Sequence, residues 1–351
     1  MNMFSRWGFI SLVVCTLAPY AWSATGTEGA SFLDIPVGAA PAAQGSAYTA
    51  QANDVYAPVW NPAGLGFLHS AEFTGMHLSY LGPLHYEHAG FVVPVGHAGE
   101  ENSGRPGGLG ASVEYLGTGD LDARDENGNS LGSFTGAFTA YSLSYGRRLS
   151  NSISLGATGK LITENIADTA AKAYAGDVGL LYKPTAKVAV GAVLANMGDK
   201  IKFVDEADPL PMAGRLGATF QLIPPLDLSA EFVYRKSGLN SGSIGAEYRY
   251  GEIFSFRAGY NTSHIKELGA GSGITAGLGI FVWGQEFAYA YVPVGDLGQT
   301  HYFSLVFRTD TASRPERPRL KSTEDKDFDD LKSSDSSHDH DIFDFLTSSD
   351  D

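Results

Sequence analysis

Charged side chains recur along the chain at alternate positions, within segments whose intervening residues are apolar. In residues 152–161, for example, Ile153 and Leu155 alternate with Ser154, and Lys160 belongs to the polar set. Because successive side chains of a β-strand point to opposite faces, these charges are expected on the face away from the apolar one. Their mixed signs favour a network of salt bridges over selection of ions of one charge. The charges are Lys160, Asp177, Arg215, Glu231, Glu247, Arg249 and Arg257.

The sequence offers no comparable arrangement for catalysis or metal binding. Its histidines are scattered, apart from His338 and His340 near the C-terminus, and it has no Gly-x-Ser-x-Gly elbow or phosphate-binding loop. The single cysteine, Cys15, lies in a segment that we expect to be removed, which leaves no thiol for a disulfide or a thiolate metal site. We therefore predict a protein that is not an enzyme and uses no cofactor or metal.

The elements that must position the charges are strands. From about residue 70 the hydrophobicity has a period of two, and division at turn signals gives about fourteen strands up to residue 308. Very short connections, such as 150–151, alternate with longer polar ones, such as 119–136. An even strand number and this alternation are typical of an antiparallel outer-membrane β-barrel with short periplasmic turns. A soluble β-sandwich or β-solenoid also alternates, but aromatic residues near the strand ends favour the all-β transmembrane barrel.

Composition and the N-terminus indicate the compartment. Glycine is abundant, with 43 residues among 351, and only 18% of residues are charged, which suits many half-apolar strands. Arg6, the apolar run 9–18 and the small residues around Ser23 predict a cleaved signal peptide over 1–23. No later apolar run is long enough for a transmembrane helix. A net charge of −15 argues against a nucleic-acid partner. We predict a protein exported to the bacterial outer membrane.

Residues 24–69, ahead of the strands, differ from the rest of the chain. Residues 42–54 are rich in alanine, a good helix former, whereas Pro58 and Pro62 restrict the backbone around them. This composition predicts a short helix followed by tight turns. Asn61 precedes a proline and should be extended, with its amide free to cap the residues that follow. A segment of this kind in front of a closed barrel is expected to be a plug in the lumen.

The same segment resembles the N-terminal signature of the PorV/PorQ family, whose members are outer-membrane barrels related to the FadL-type fatty-acid transporters. A second match, from Glu286 to His301, resembles the last hairpin of that family. The resemblance implies a barrel of fourteen strands over 70–308, with residues 24–69 as a hatch inside it. The hatch residues that match the signature are Gly45, Ala47, Tyr48, Asp54, Asn61, Pro62, Ala63, Gly64 and Leu65.

The resemblance implies two different functions. In the fatty-acid transporters, movement of the hatch passes an apolar ligand through a lateral gap in the wall. In the PorV branch, the barrel belongs to type IX secretion and handles exported proteins. We predict binding or transport of hydrophobic small molecules across the outer membrane, with the secretion role as the alternative and a purely structural barrel as a third. Glycines that weaken a strand, here Gly107, Gly108 and Gly110, mark a candidate lateral opening.

Residues 309–351 form a Ser/Asp-rich tail that has too few apolar residues to fold alone, and we expect it to be disordered. Residues 342–346, of which four are apolar, could dock on a periplasmic partner or on the secretion machinery; a solvated extension is the alternative. The remaining expected partners are the lipids of the outer membrane and a hydrophobic small-molecule ligand.

Overall fold

A computed structural model describes residues 28–96, 107–203, 206–263 and 265–309. Among them, fourteen antiparallel strands close into a barrel in which the first strand pairs with the last. The barrel strands are β1 (Glu72–Ser79), β2 (His85–Val95), β3 (Gly107–Gly117), β6 (Gly136–Arg148), β7 (Ile153–Ile166), β8 (Thr169–Thr185), β9 (Val188–Gly198), β12 (Ala213–Ile223), β13 (Leu226–Arg235), β14 (Ser241–Tyr250), β15 (Phe254–Asn261), β16 (Ile274–Val282), β17 (Gln285–Pro293) and β18 (Gln299–Arg308).

The strand number and the closed antiparallel topology confirm the predicted fold. Two connections that were expected to be plain loops instead carry small hairpins: β4 (Leu121–Arg124) with β5 (Ser130–Phe134), and β10 (Ile201–Phe203) with β11 (Glu206–Asp208). In the first hairpin the Asp125 carboxylate accepts from the amides of Asn127 and Asn129, a local turn that lets the flanking residues pair. The predicted signal peptide and the tail beyond residue 309 lie outside the described residues.

The helices are all short. They cover Ser31–Asp34, Ala39–Ala43, Ala57–Trp60, Pro62–Phe67, Ile265–Leu268, Ala270–Gly273 and Gly295–Leu297. In the part of the chain that the structure describes, none is long and apolar enough to cross a membrane.

The two faces of the wall differ as the alternation predicts. Along β7, Leu155 points outward and is 46% exposed, whereas Ser154, Thr158 and Lys160 point into the lumen and are buried. Large exposed apolar side chains such as Phe256 and Leu216 continue this outer surface around the barrel. An apolar outer wall around a polar lumen is the arrangement that a transmembrane barrel requires.

Residues 28–71, hereafter the plug, fill the lumen. We call the rim with the longer connections, such as 199–212, the loop end, and the rim with the tight turns, such as 283–284, the turn end. The plug starts at the loop end, where the Gly29 amide donates to the Pro209 carbonyl at 3.0 Å, and it leaves at the turn end to begin β1. Most of its side chains are buried, so the plug takes the place of a hydrophobic core.

Candidate functional site

Asn61 holds the centre of the plug. Its side-chain oxygen accepts from the Ala63 amide at 3.1 Å and caps the short helix that begins at Pro62. Its amide nitrogen donates to the Thr49 carbonyl at 2.9 Å and to the Leu180 carbonyl of β8 at 3.1 Å. One fully buried side chain therefore joins two parts of the plug to the wall. The cap is the one that the sequence predicts.

Replacing Asn61 with alanine is expected to loosen residues 45–65 without unfolding the barrel. The change removes three hydrogen bonds, each worth about 1 kcal/mol, and leaves buried backbone groups unsatisfied. Hydrogen exchange measured by mass spectrometry should therefore become faster in these residues and stay slow in β13 to β18. Equal exchange in the variant and the parent would contradict the role given to Asn61.

The preceding plug residues bind the opposite wall. The backbone amides of Tyr48 and Thr49 both donate to one oxygen of Glu231, at 2.9 and 2.8 Å. The Tyr48 hydroxyl donates to the Asp54 carboxylate, which also accepts from the Tyr56 amide. The Glu231 side chain therefore binds the main chain of the plug. The hydrogen bond between Tyr48 and Asp54 closes the turn formed by the residues between them.

Gly45 lies where the plug backbone touches the strands. It has a φ of +64°, and a Cβ there would lie 2.8 Å from the Tyr260 nitrogen, so glycine is required by conformation and by space. Its amide donates to Thr275 at 3.0 Å, and its carbonyl accepts from Asn261 at 2.8 Å. The remaining predicted hatch residues, Ala47, Pro62, Ala63, Gly64 and Leu65, are all buried in the plug.

A chain of alternating ion pairs runs across the lumen wall from β14 to β1. Arg257 joins Glu247 at 3.3 Å and Glu286 at 2.6 Å, and Arg308 joins Glu286 at 3.5 Å and Glu72 at 3.4 Å. Three arginines and three glutamates balance one another, so the chain carries no net charge. It is bonded to the plug, because the Val55 amide donates to Glu72 at 3.1 Å. Its members are Arg249, Glu247, Arg257, Glu286, Arg308 and Glu72.

The other predicted charges form a second group. Lys160 lies 2.8 Å from Asp177 and donates to Asn196, also at 2.8 Å. The Arg215 guanidinium lies over the ring of Trp60 in the plug, 5.3 Å from its centroid. All seven predicted charges thus face the lumen, and they pair with one another or with the plug. Glu72, Glu286 and Arg308 were not among the inward charges predicted from the sequence. The alternation of side chains along β1, β17 and β18 places all three on the lumen face as well.

A basic and aromatic cluster lies where the plug leaves the lumen at the turn end. Lys183 lies 4.6 Å from the centroid of Phe67, and Arg148 lies over the same ring at 5.6 Å. Burial, together with the nearby cations Lys183 and Arg148, lowers the pKa of the His69 imidazole. His69 is therefore expected to be neutral at pH 7, so the positive charge of this rim comes from Lys183 and Arg148.

A cavity of about 210 Å³ lies between the plug and the strands near the loop end. Leu33, Val37 and Trp60 of the plug give it an apolar side, which Tyr302 of the wall extends. The facing strands contribute polar side chains, among them Arg215, Glu231, Ser241, Ser243 and Asn261. The cavity is therefore suited to a small molecule with a large apolar part, because apolar contacts cover one side and a few polar groups fix the other.

The structure places Gly107, Gly108 and Gly110 on an unbroken strand. Each pairs in register with both β2 and β6. A Cβ at Gly108 would lie 2.4 Å from the Leu65 carbonyl oxygen, and one at Gly110 would lie 2.7 Å from Pro58. Gly108 and Gly110 thus let the plug pack closely against the wall. A lateral opening at this place stays a prediction.

The class of fold is a closed antiparallel barrel of fourteen strands, and solved structures share it. The chain is similar to the Ralstonia pickettii toluene transporter TbuX, with a TM-score of 0.55 and 17% identity over 77% of this chain and 96% of that one. It is also similar to the CymD monoaromatic hydrocarbon channel, with a TM-score of 0.52 and 15% identity over 78% and 96%. A Pseudomonas aeruginosa FadL homologue gives 0.51 and 11% over 78% and 98%.

These likenesses show the shared fold. No protein-family profile and no curated protein sequence matches the chain. None of the three structures is a PorV or PorQ protein, and the secretion interpretation gains no support from them.

Proposed function

We propose that the protein carries small hydrophobic molecules across the bacterial outer membrane through the lumen of its barrel. The observation that carries this proposal is the cavity between the plug and the loop end, which has an apolar side built by Leu33, Val37 and Trp60. The loop end would face the outside, because outer-membrane barrels have their long connections there. Two structures with this fold are named for transport of toluene and of monoaromatic hydrocarbons, which supports the same class of ligand.

The size of the cavity favours one small molecule at a time. An apolar protein cavity of about 150 Å³ is known to hold benzene, and the cavity beside Trp60 measures about 210 Å³. A single-ring hydrocarbon therefore fits without movement of the plug. Passage further down requires the plug to move, because its buried residues fill the lumen from the cavity to the turn end.

The charges of the lumen suit this role better than ion conduction. The chain of pairs around Arg257 is neutral, and Lys160 is neutralised by Asp177. An ion pore tuned to one sign of charge needs a ring of charges of the opposite sign. The paired charges are better explained as a polar support that holds a movable plug in one position.

Trp60 gives a direct test of ligand binding, since it lines the cavity and is 4% exposed. Trp7 and Trp22 lie in the predicted signal peptide, and Trp283 is 88% exposed. In a Trp283→Phe background, toluene should change the Trp60 emission in a saturable way. A further Ser243→Phe change, which fills the cavity, should weaken the apparent affinity at least about tenfold.

The matched control for this titration is Ile244→Phe, because Ile244 is the next residue of β14 and lies on the outer wall, 61% exposed. Its titration should coincide with that of the parent. A Trp60 signal that does not saturate, or that is equal in both phenylalanine variants, would contradict binding in the cavity.

A further inference from the structure

Four buried polar side chains on the inner wall of β2, β3 and β6 carry atoms with no hydrogen-bond partner among the described residues. The unpartnered atoms are both ring nitrogens of His88, the hydroxyl oxygens of Ser112 and Ser142, and one carboxylate oxygen of Glu114. Each of these residues is at most 8% exposed. They are direct neighbours across the strands, because His88 pairs with Glu114 and Ser112 pairs with Ser142.

The plug residues that meet this polar patch are not hydrogen-bonded to its unpartnered atoms, and the Tyr56 hydroxyl instead accepts from Thr74. The Tyr56 ring lies 6.4 Å from the His88 ring between centroids, and Pro58 packs on the adjacent Gly110. A buried polar atom without a partner has lost its hydrogen bonds to water and has not replaced them. The contact between the plug and the patch is therefore less favourable in free energy than a fully bonded one. Separation of the plug from β2, β3 and β6 would remove that cost.

The opposite side of the plug is bonded to the wall. The Ala39 amide donates a hydrogen bond to the Ser304 hydroxyl at 2.8 Å, and the amides of Tyr48 and Thr49 both donate to the Glu231 carboxylate. That wall also holds an unpartnered hydroxyl, at Ser255, but the plug itself is hydrogen-bonded there, with Gly45 joined to Thr275 and Asn261 as well. The plug is therefore fixed on the side of β12 to β18 and poorly satisfied on the side of β2 to β6.

We infer that the plug separates from β2, β3 and β6 while it stays bound to β12 to β18, and that the gap is the ligand passage. One side of this passage is formed by the Tyr56 ring and Pro58, and the other is the polar patch of His88, Ser112, Glu114 and Ser142. Such a passage takes an apolar molecule that bears one hydrogen-bonding group, such as a phenol, more readily than a plain hydrocarbon. The ligand part of this inference rests on the proposed function.

Two serines test the direction of plug movement without any transport assay. Ser142 and Ser304 both face the plug and are at most 6% exposed, but only Ser304 is bonded to it, through the Ala39 amide. The predicted signal peptide holds the single natural cysteine, Cys15, so Ser142→Cys and Ser304→Cys would each give one thiol in the exported chain. In the exported protein purified in detergent, a water-soluble maleimide should label Ser142→Cys at least about tenfold faster than Ser304→Cys. Equal rates, or faster labelling of Ser304→Cys, would overturn the inference.

The ligand part has a separate readout. In cells that take up labelled toluene and labelled phenol through the protein, the double variant Ser112→Ala and Ser142→Ala should lower phenol uptake about threefold or more and leave toluene uptake unchanged. A purely structural role for the two serines would lower both rates together, and that outcome would overturn the polar wall. If the parent chain carries neither compound, the proposed function fails, and the labelling result for the plug still stands.

Discussion

Replacing Gly64 with alanine will displace the plug from the lumen wall while the barrel stays closed. A Cβ at Gly64 would lie 1.4 Å from the Ala52 carbonyl oxygen and 3.1 Å from the Asn53 Cα, both of them backbone atoms. Backbone cannot move aside as a flexible side chain can, so the turn around Asn61 must open. Overpacking of this kind costs about 1–3 kcal/mol or more, which is comparable to the hydrogen bonds of about 1 kcal/mol each by which Asn61 holds this turn. Limited proteolysis should cut the variant within residues 45–65, where the parent is resistant.

The control for this variant is Gly159→Ala on the outer face of β7. A Cβ at Gly159 meets no atom within 4 Å among the described residues, so the change should leave the digestion pattern as it is in the parent. Protease resistance of Gly64→Ala equal to that of Gly159→Ala would show that the plug does not pack as described.

Replacing Arg257 with methionine will destabilise the whole barrel. Arg257 is 5% exposed and is the shared partner of Glu247 and Glu286. Its loss removes one cationic partner from each of the buried carboxylates of Glu247 and Glu286. Breaking a buried ion pair from one side typically costs about 3–5 kcal/mol. The free energy of unfolding in urea, measured in lipid vesicles, should fall by an amount in that range.

Lys172 offers a matched comparison for Arg257, since it lies on β8 and its side chain is exposed. Lys172→Met should change the free energy of unfolding by about 0.5 kcal/mol or less. If Arg257→Met fell within the same limit, the ion-pair chain would have no part in stabilising the barrel.

The strand pattern and the inward charges could be read from the sequence because both depend on local parity. Alternation places Lys160 and Glu247 on the lumen face wherever their strands end up in the barrel. The partners of those charges could not be read in this way. Arg308 reaches Glu72 only because β18 closes on β1, and the Ala39 amide reaches Ser304 across 265 positions of sequence. Such contacts are set by closure of the barrel, which local periodicity does not encode.

The position of the plug was predictable, but the way it is held was not. The helix and turn composition, with the resemblance to known barrels, predicts a hatch, and Asn61 before Pro62 predicts the cap. The use of Glu231 to bind two plug amides has no local signal, because any inward glutamate looks the same in sequence. The unpartnered groups around His88 could not be predicted either, because their lack of hydrogen bonds depends on which plug residues pack against them.

Uptake of labelled toluene across an outer membrane rich in lipopolysaccharide tests the proposed function most directly. Cells that lack this chain would be compared with cells that produce the parent, Ser243→Phe or Ile244→Phe at equal surface levels. The two residues are neighbours in β14, and only Ser243 faces the cavity. The parent and Ile244→Phe are expected to take up toluene at the same rate, and Ser243→Phe at a rate close to that of cells without the protein. Uptake by the parent no faster than by those cells, or undiminished uptake by Ser243→Phe, would contradict passage through the lumen.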